Sequence, residues 1–250
     1  ETGVAIVEDC SHAHGATYKG RPCGSIGHVG AWSLQGSKPV SGGEGGMIAT
    51  NDVDIFERAC LVGQVNRIAG LDLVTDNYKH LQPLGLGTKF RAHPLGIGIA
   101  SVQMKKLDAL NARRRAYIQA VEAGISQIRG VRPVEKYEGA ESAGFYGFPI
   151  HYIPEELGGL PQDRFIDALG KEGLRARGNP YPLLHTLPLF ADGFDIFTRG
   201  RGPLCTPEMG GDYRGYKRGD FPITEKACSQ LLFLPVFSNP VEGAAEGVVV

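Results

Sequence analysis

Short runs of apolar, β-branched residues constrain the fold of this chain more than any other feature. The first run covers residues 3–8 (GVAIVE), and two more follow at residues 29–34 (VGAWSL) and 46–50 (GMIAT). A continuous run of this kind is typical of a strand buried on both faces of a parallel or mixed sheet. Helical patterns follow these runs, so we expect an α/β fold.

Local signals place the remaining elements. Lys19-Gly20-Arg21-Pro22 predicts the turn of a small hairpin over residues 16–24. Asp52 is expected to cap a helix over residues 52–64, with an apolar face formed by Ile55, Ala59 and Val62. Pro94 marks the first turn of a long helix predicted to run to about residue 128. Its predicted apolar stripe is Val102, Leu107, Leu110, Tyr117 and Val121, and its predicted solvent side is Arg113–Arg115.

After Gly130 the pattern changes, and we place a domain boundary inside or just after the long helix, near residues 125–130. A strand is predicted within residues 143–153, a helix over 161–173, and a helix followed by a strand over 223–237. We therefore predict one domain over residues 1–128 and a smaller α+β domain over residues 129–250.

The overall composition excludes several classes of protein. The formal net charge is −1, with 26 basic and 27 acidic residues, which favours neither nucleic acid nor an anionic membrane as a partner. No apolar run is long enough to cross a bilayer. The five cysteines are scattered and odd in number. This pattern favours reduced thiols and a cytoplasmic location over a disulfide framework.

Polar side chains follow the predicted strands where a ligand site would lie. Asp9 and His12 come directly after the first strand, and Lys38 follows the second one in a segment rich in small residues. Ligands of open α/β sheets bind outside the carboxyl ends of the strands. Pyridoxal phosphate needs a lysine that forms a Schiff base and an aspartate that keeps the pyridine nitrogen protonated. We expect Lys38 and Asp9 to fill these roles, with His12 against the flat ring and the Ser33 hydroxyl on the phosphate.

Each of these residues also has an alternative role. Asp9 could be only a turn or capping residue, and Ser33 a buried serine bonded to backbone. Cys10, His12 and His14 could ligate zinc, but no second cluster lies at ligand spacing, so we expect no metal site. The glycines at residues 42–46 lack the ending of a Walker loop, and are expected to let backbone approach the cofactor.

The segment VEDCSHAHGATYKGRPCGSIGHVGAWSLQGSKPVSGGEGG resembles the cofactor-binding core of DegT/DnrJ/StrS-type sugar aminotransferases, a fold-type-I pyridoxal phosphate family. Residues 85–118 resemble the helix and arginine run that follow in that family, and the C-terminal part resembles its small domain more loosely. The resemblance implies that the chain comprises part of the large domain, with a mixed, mostly parallel sheet, and a smaller second domain.

The resemblance also implies roles for single residues. Lys38 would bind the cofactor and shuttle protons, Asp9 would pair with the pyridine nitrogen, His12 would contact the phenolic oxygen side, and Ser33 would bind the phosphate. Lys89 stands where the family often has asparagine, before Phe90 and Arg91. That turn would reach the cofactor phosphate of a partner subunit in a homodimer with shared active sites. The alternative for Lys89 is a solvated basic turn.

The implied reaction is transfer of an amino group from glutamate or glutamine to a keto-sugar or keto-cyclitol. Such reactions serve nucleotide-sugar, cell-surface polysaccharide or secondary-metabolite biosynthesis. Dehydratases of the family carry histidine in place of the lysine, so Lys38 favours transamination. The alternative is a non-catalytic regulatory or binding protein that kept the fold.

Both ends of the chain also carry an expectation. The chain starts at Glu1, directly before a strand, and ends in VEGAAEGVVV. We expect an internal piece of a longer protein that is inactive by itself. The phosphate-binding helix N-terminus and the aromatic residue that stacks on the cofactor would then precede the first strand.

Overall fold

The computed structural model describes residues 3–64, 73–82, 85–143, 146–193, 213–241 and 243–249. The chain divides into two compact units. The first comprises Glu1–Ala120, Glu135–Tyr146 and Val236–Ala245, and the second Val121–Val134, Gly147–Pro235 and Glu246–Val250. Both units are thus discontinuous in sequence. The division into domains 1–128 and 129–250 stays a prediction. A single boundary in the sequence does not account for Glu135–Tyr146 and Val236–Ala245, which group with the first unit.

The elements are short. The strands are β1 (Val7–Asp9), β2 (Thr17–Tyr18), β3 (Arg21–Pro22), β4 (Val29–Ser33), β5 (Gly46–Ala49), β6 (Val131–Pro133), β7 (Ala140–Glu141), β8 (Phe148–Tyr152), β9 (Arg177–Gly178) and β10 (Leu231–Leu234). The helices are α1 (Val53–Gly63), α2 (Pro94–Met104), α3 (Leu107–Ile125), α4 (Gln162–Lys171), α5 (Pro188–Ala191), α6 (Pro222–Gln230) and α7 (Glu246–Val249).

The first unit contains a mixed three-stranded sheet in the order β1-β4-β5. β1 runs parallel to β4, with Asp9 opposite Ala31, and β5 runs antiparallel to β4, with Gly46 opposite Ser33. The prediction of a first strand buried on both faces is wrong. The strand is shorter than predicted, and Val7 is 69% exposed because no element among the described residues covers it.

The predicted hairpin is confirmed. β2 pairs with β3 around Lys19 and Gly20, whose φ angles are +50° and +73°. Two successive residues with positive φ form the tight connection whose twist matches that of the two strands. β2 also pairs with β7, which lies far along the chain, with Thr17 opposite Glu141.

The predicted helix after Asp52 is confirmed, but its predicted apolar face is not. The Asp52 carboxylate accepts the N–H groups of Asp54 and Ile55 at 2.9 and 3.2 Å, as a helix N-cap does. The side of α1 that is buried carries Glu57 and Leu61 rather than Val62, which is 39% exposed. Glu57 can be buried because its carboxylate accepts both the N–H and the hydroxyl of Thr75.

The long helix predicted from Pro94 is two helices, α2 and α3. Lys106 donates its N–H to the carbonyl of Gln103 at 3.0 Å, three residues back instead of four, and the helix stops there. The break allows residues on both helices to join one buried cluster, formed by Leu34, Val40, Ala100 and Leu107. This cluster forms part of the core of the first unit.

Arg114 corrects the predicted solvent side of the helix, because it is only 5% exposed. Its guanidinium donates to the side-chain oxygen of Asn111 at 3.0 Å and to the carbonyl of Ser238 at 3.1 Å. These acceptors offset part of the cost of burying a cation.

The second unit is built on an antiparallel sheet in the order β6-β8-β10-β9. Side chains of β8 alternate, so that Phe148, Ile150 and Tyr152 are buried. The ring of Phe165 on α4 lies 4.9 Å from that of Tyr152. The predicted strand within residues 143–153, the helix within 161–173 and the helix and strand within 223–237 are thus confirmed, although residues 144–145 lie outside the described part.

Candidate active site

The parallel strands β1 and β4 end at the same edge of the first sheet, because parallel strands share a direction. The chain that leaves β1 carries Asp9, Cys10, Ser11 and His12. The chain that leaves β4 at Ser33 turns through residues 34–43 and carries Lys38. His12 and Lys38 are thereby brought into contact, although they lie 26 positions apart in sequence.

Lys38 lies in a turn fixed by its own backbone. Its N–H donates to the carbonyl of Gln35 at 2.9 Å, and the Gln35 side chain accepts the N–H of Ser37 at 2.9 Å. Val40, two residues later, is fully buried and anchors the turn in the core. The lysine is therefore presented from a well-supported turn while its own side chain stays half-buried.

The following glycines approach a helix. A Cβ atom on Gly42 would lie 2.7 Å from the carbonyl oxygen of Gly96, and one on Gly96 would lie 2.6 Å from that of Gly42. Both positions exclude larger residues because the turn passes directly against α2. The structure thus supplies a packing reason for Gly42, and the expected approach of this backbone to a cofactor stays a prediction.

The amine of Lys38 contacts two rings. Its Nζ lies 2.7 Å from Nε2 of His12 and 3.9 Å from the ring centroid of Tyr146. The rings of His12 and Tyr146 are stacked, with centroids 3.9 Å apart and planes inclined by 20°. Since an ammonium group can only donate hydrogen bonds, Nε2 of His12 is the acceptor and its proton lies on Nδ1.

The imidazole of His12 is held neutral. Desolvation lowers the pKa of His12, the positive charge of Lys38 lowers it further, and the negative charge of Asp9 opposes both. A neutral His12 beside the lysine accepts a hydrogen bond from its ammonium group. The contact therefore fixes the direction in which the Lys38 amine points at this edge of the sheet.

Asp9 is an exposed carboxylate at the end of β1. Its Oδ1 accepts the N–H of Ser11 at 3.0 Å. Hydrogen bonds from the side chain and backbone of Ser11 lower the pKa of Asp9 below its usual value, desolvation opposes them, and the charges of His12 and Lys38 add to the lowering. The carboxylate is thus ionised at neutral pH. The bond to Ser11 is also the local turn contact that the alternative role predicts.

The other predicted residues do not contact the lysine. The hydroxyl of Ser33 accepts the N–H of Gln35 at 3.3 Å, so it lies at the base of the lysine turn. Lys89 is exposed and forms a backbone bridge with Gln64, and Arg91 lies just before α2. The structure therefore brings together Lys38 and His12, with the charge of Asp9 acting on both. It places Lys89 and Arg91 on a different segment.

A buried polar network supports the loop that carries His12, and sequence reasoning missed it. The side-chain amide of Asn111 donates to the carbonyl of His14 at 3.0 Å, and Arg114 holds the amide oxygen of the same asparagine. The following residue, Gly15, has a φ of +81°, and a Cβ atom there would lie 2.8 Å from the Asn111 nitrogen. The loop is thus fixed by contacts from α3, 97 residues away.

Tyr146 was also missed. It lies in a segment predicted as strand, and nothing in the local pattern connects it with a lysine more than a hundred residues earlier. Its aromatic type, after a run of small residues, is the only signal that could have drawn attention to it.

Other sites are less prominent. In the part of the chain that the structure describes, no cluster of three metal-binding side chains is present, so the zinc alternative gains no support. No helix among those residues is long and apolar enough to span a bilayer. A cavity of about 500 Å³ is lined by His28, Trp32 and Asp52 among others, but by none of the predicted site residues.

Comparisons with known proteins point to one family. The sequence model described as the DegT/DnrJ/EryC1/StrS aminotransferase family matches residues 1–199. The L-glutamine:scyllo-inosose aminotransferase of Streptomyces griseus is 31% identical over 172 residues, covering 68% of this chain and 40% of that protein. The L-glutamine:2-deoxy-scyllo-inosose aminotransferase of Streptoalloteichus tenebrarius is 29% identical, covering 76% and 45%.

Solved structures give the same fold. An aminotransferase from Brucella abortus has a TM-score of 0.69 at 20% identity, covering 99% of this chain and 56% of that one. DesV of S. venezuelae has a TM-score of 0.69 at 22% identity, covering 99% and 56%. These likenesses confirm the predicted α/β fold with a mixed sheet. This chain spans about half the length of the curated relatives that it matches.

Proposed function

Because the chain belongs to the DegT/DnrJ/EryC1/StrS aminotransferase family, we propose that it carries the lysine-bearing core of a pyridoxal phosphate-dependent aminotransferase. The observation that carries the proposal is the 2.7 Å contact between the amine of Lys38 and a neutral His12, beside an ionised Asp9. A lysine amine held in one direction beside a carboxylate is the arrangement that a Schiff base to pyridoxal phosphate needs.

The residues at this edge of the sheet fit pyridoxal 5'-phosphate by their chemistry. Lys38 offers the amine, Asp9 a carboxylate for the pyridinium nitrogen, and Ser33 a hydroxyl for the phosphate. His12 already stacks on one ring in this structure, so its imidazole is suited to contact a flat heterocycle. When bound, the cofactor would supply an electron sink that stabilises negative charge on the substrate carbon.

The protein's own part in the reaction would be binding and proton transfer. Nζ of Lys38 would take the proton from the reacting carbon and return it as general base and then general acid. Nε2 of His12 would accept a hydrogen bond from that amine and so orient it. The negative charge of Asp9 would keep the pyridine nitrogen protonated, which is an electrostatic contribution of the kind that dominates many enzymes.

The proposed substrates are a keto-sugar or keto-cyclitol and an amino donor, glutamate or glutamine. This part of the proposal rests on the names of the relatives, which pair L-glutamine with scyllo-inosose or its deoxy derivative. Secondary-metabolite biosynthesis is the pathway class that these names favour.

Three further parts of the proposal concern organisation. The protein would act as a homodimer, in which Lys89 and Arg91 of one subunit reach the cofactor phosphate of the other. Both residues lie in a partly exposed segment separate from the one that carries Lys38, which is compatible with this role. The chain would divide into part of the large domain and a smaller second domain. Its location would be cytoplasmic, in keeping with free cysteines at positions 10, 23, 60 and 228.

A titration of the full-length protein with pyridoxal phosphate tests the proposal against the alternative of a non-catalytic protein that kept the fold. An aminotransferase should develop the yellow absorbance of lysine-bound cofactor and lose it when glutamine or glutamate is added. A binding protein would keep the absorbance after the donor is added. A protein that develops no absorbance at all, with Lys38→Ala as matched control, would contradict the proposal.

A further inference from the structure

Tyr146 contacts both members of the lysine–histidine pair. Its ring centroid lies 3.9 Å from Nζ of Lys38 and 3.9 Å from the centroid of the His12 ring. Its hydroxyl lies 3.4 Å from the hydroxyl of Ser37, which is long for a hydrogen bond between two hydroxyl groups. The contacts with Lys38 and His12 are made by the ring.

The segment that carries Tyr146 is held in place by backbone pairing. β7 pairs with β2, and the N–H of Lys19 donates to the carbonyl of Gly139 at 2.6 Å. Ala143, three residues before the tyrosine, is only 2% exposed. A Cβ atom on Gly15 would be in ordinary contact with this alanine, at 3.7 Å. The described chain up to Ala143 is thus anchored.

The contact has a definite physical effect on the amine. A cation within about 6 Å of an aromatic centroid is attracted to the ring, and the contact at 3.9 Å is well inside this limit. The ring also stacks on the imidazole that accepts the hydrogen bond of the lysine. It therefore limits where both groups can go, and it favours the arrangement in which Nζ of Lys38 points at Nε2 of His12.

We propose that Tyr146 is a positioning residue of the lysine site, whose ring holds the Lys38 amine against His12. The contact is a property of this chain and can be tested without cofactor. Its consequence for catalysis, a lysine that is oriented before the cofactor arrives, rests on the proposed function.

The test compares Tyr146→Leu, which removes the ring, with Tyr146→Phe, which keeps it. Each protein is treated with limiting trinitrobenzenesulfonate, which modifies uncharged amines, and peptide mass mapping gives the labelling of Lys38 relative to the exposed Lys105. Removing the ring should raise this ratio about two- to fivefold, the size expected for one partly exposed cation–π contact. The Tyr146→Phe protein should keep the wild-type ratio.

Two results would overturn the proposal: an unchanged ratio in Tyr146→Leu, or an equal rise in both variants. General loosening of the fold would also raise the ratio, because Lys105 is already exposed whereas Lys38 is half-buried. A rise that is accompanied by a lower urea midpoint of Tyr146→Leu therefore also counts against the proposal. A second arm repeats the labelling with pyridoxal phosphate and borohydride. If the cofactor does not attach to Lys38 in the wild-type protein, the proposed function fails, while the first arm still decides the role of Tyr146.

Discussion

Replacing Gly15 by alanine tests whether the buried network fixes the loop that carries Asp9 and His12. Gly15 has a φ of +81°, a conformation that costs an L-residue about 1–2 kcal/mol. The new Cβ atom would also lie 2.8 Å from the side-chain nitrogen of Asn111, so that this amide must move. Moving it breaks the hydrogen bond to the carbonyl of His14 and leaves buried polar groups unpaired, at a further cost of about 1–3 kcal/mol.

The expected total is a loss of about 2–5 kcal/mol in the free energy of unfolding. Gly20→Ala is the matched control, because Gly20 has a similar φ of +73° but nothing within 4 Å of the position of a new Cβ. It should lose only the conformational part, about 1–2 kcal/mol. The difference between the two variants isolates the contact with Asn111.

Urea unfolding followed by tryptophan fluorescence is the assay. The chain has one tryptophan. It is Trp32 on β4, in the first unit, and so reports the unfolding of that unit. In an Asn111→Ala background, the extra cost of Gly15→Ala should fall to that of the control, because the clashing group is gone. If Gly15→Ala costs no more than Gly20→Ala in the wild-type background, the network does not hold the loop.

Three other substitutions test separate parts of the account. In a preparation that transaminates, Asp9→Asn should lower the rate of transamination by about two orders of magnitude or more. If Asp9 is only a turn or capping residue, the same substitution should lower the free energy of unfolding by about 1 kcal/mol and leave turnover normal. Desolvation raises the pKa of Glu8, but the backbone N–H groups of residues 27, 24 and 26 and the charge of Arg21 outweigh it, so the net shift is downward. The stabilisation by ionised Glu8 should be complete above pH 4.5, the ordinary pKa of glutamate, and should fall as the pH drops from there towards the lowered pKa of the folded state. The urea midpoint of Glu8→Gln should therefore depend less on pH than that of the wild-type protein. An unchanged pH dependence of the midpoint would count against the contact. Lys89→Ala should weaken cofactor binding. Mixing the Lys89→Ala protein with the Lys38→Ala protein should restore one working site per heterodimer. An unchanged affinity of Lys89→Ala for the cofactor would argue for a solvated basic turn.

Local signals were sufficient for the features that depend on neighbouring residues. The turn at Lys19-Gly20, the cap at Asp52 and the helix start at Pro94 are each set by backbone conformation or by a side chain within three residues. The strand ends that present Asp9 and Lys38 follow from the apolar runs before them. The family resemblance then supplied the cofactor.

The features that sequence reasoning missed depend on contacts between distant segments. Arg114 was expected on the solvent side, because nothing near it in sequence indicates that the carbonyl of Ser238, 124 residues later, would accept its hydrogen bond. The break between α2 and α3 has no glycine or proline to mark it. Tyr146 reaches the lysine through the pairing of two-residue strands, whose pattern is too short to recognise.

The most direct test of the central claim is to locate the residue that binds the cofactor. The protein is incubated with pyridoxal phosphate and reduced with borohydride, and the modified peptide is identified by mass spectrometry, with Lys38→Ala as control. The account predicts that the label lies on the peptide containing Lys38 and is lost in the variant. Label on Lys105 or Lys106, or label that persists in Lys38→Ala, would contradict it.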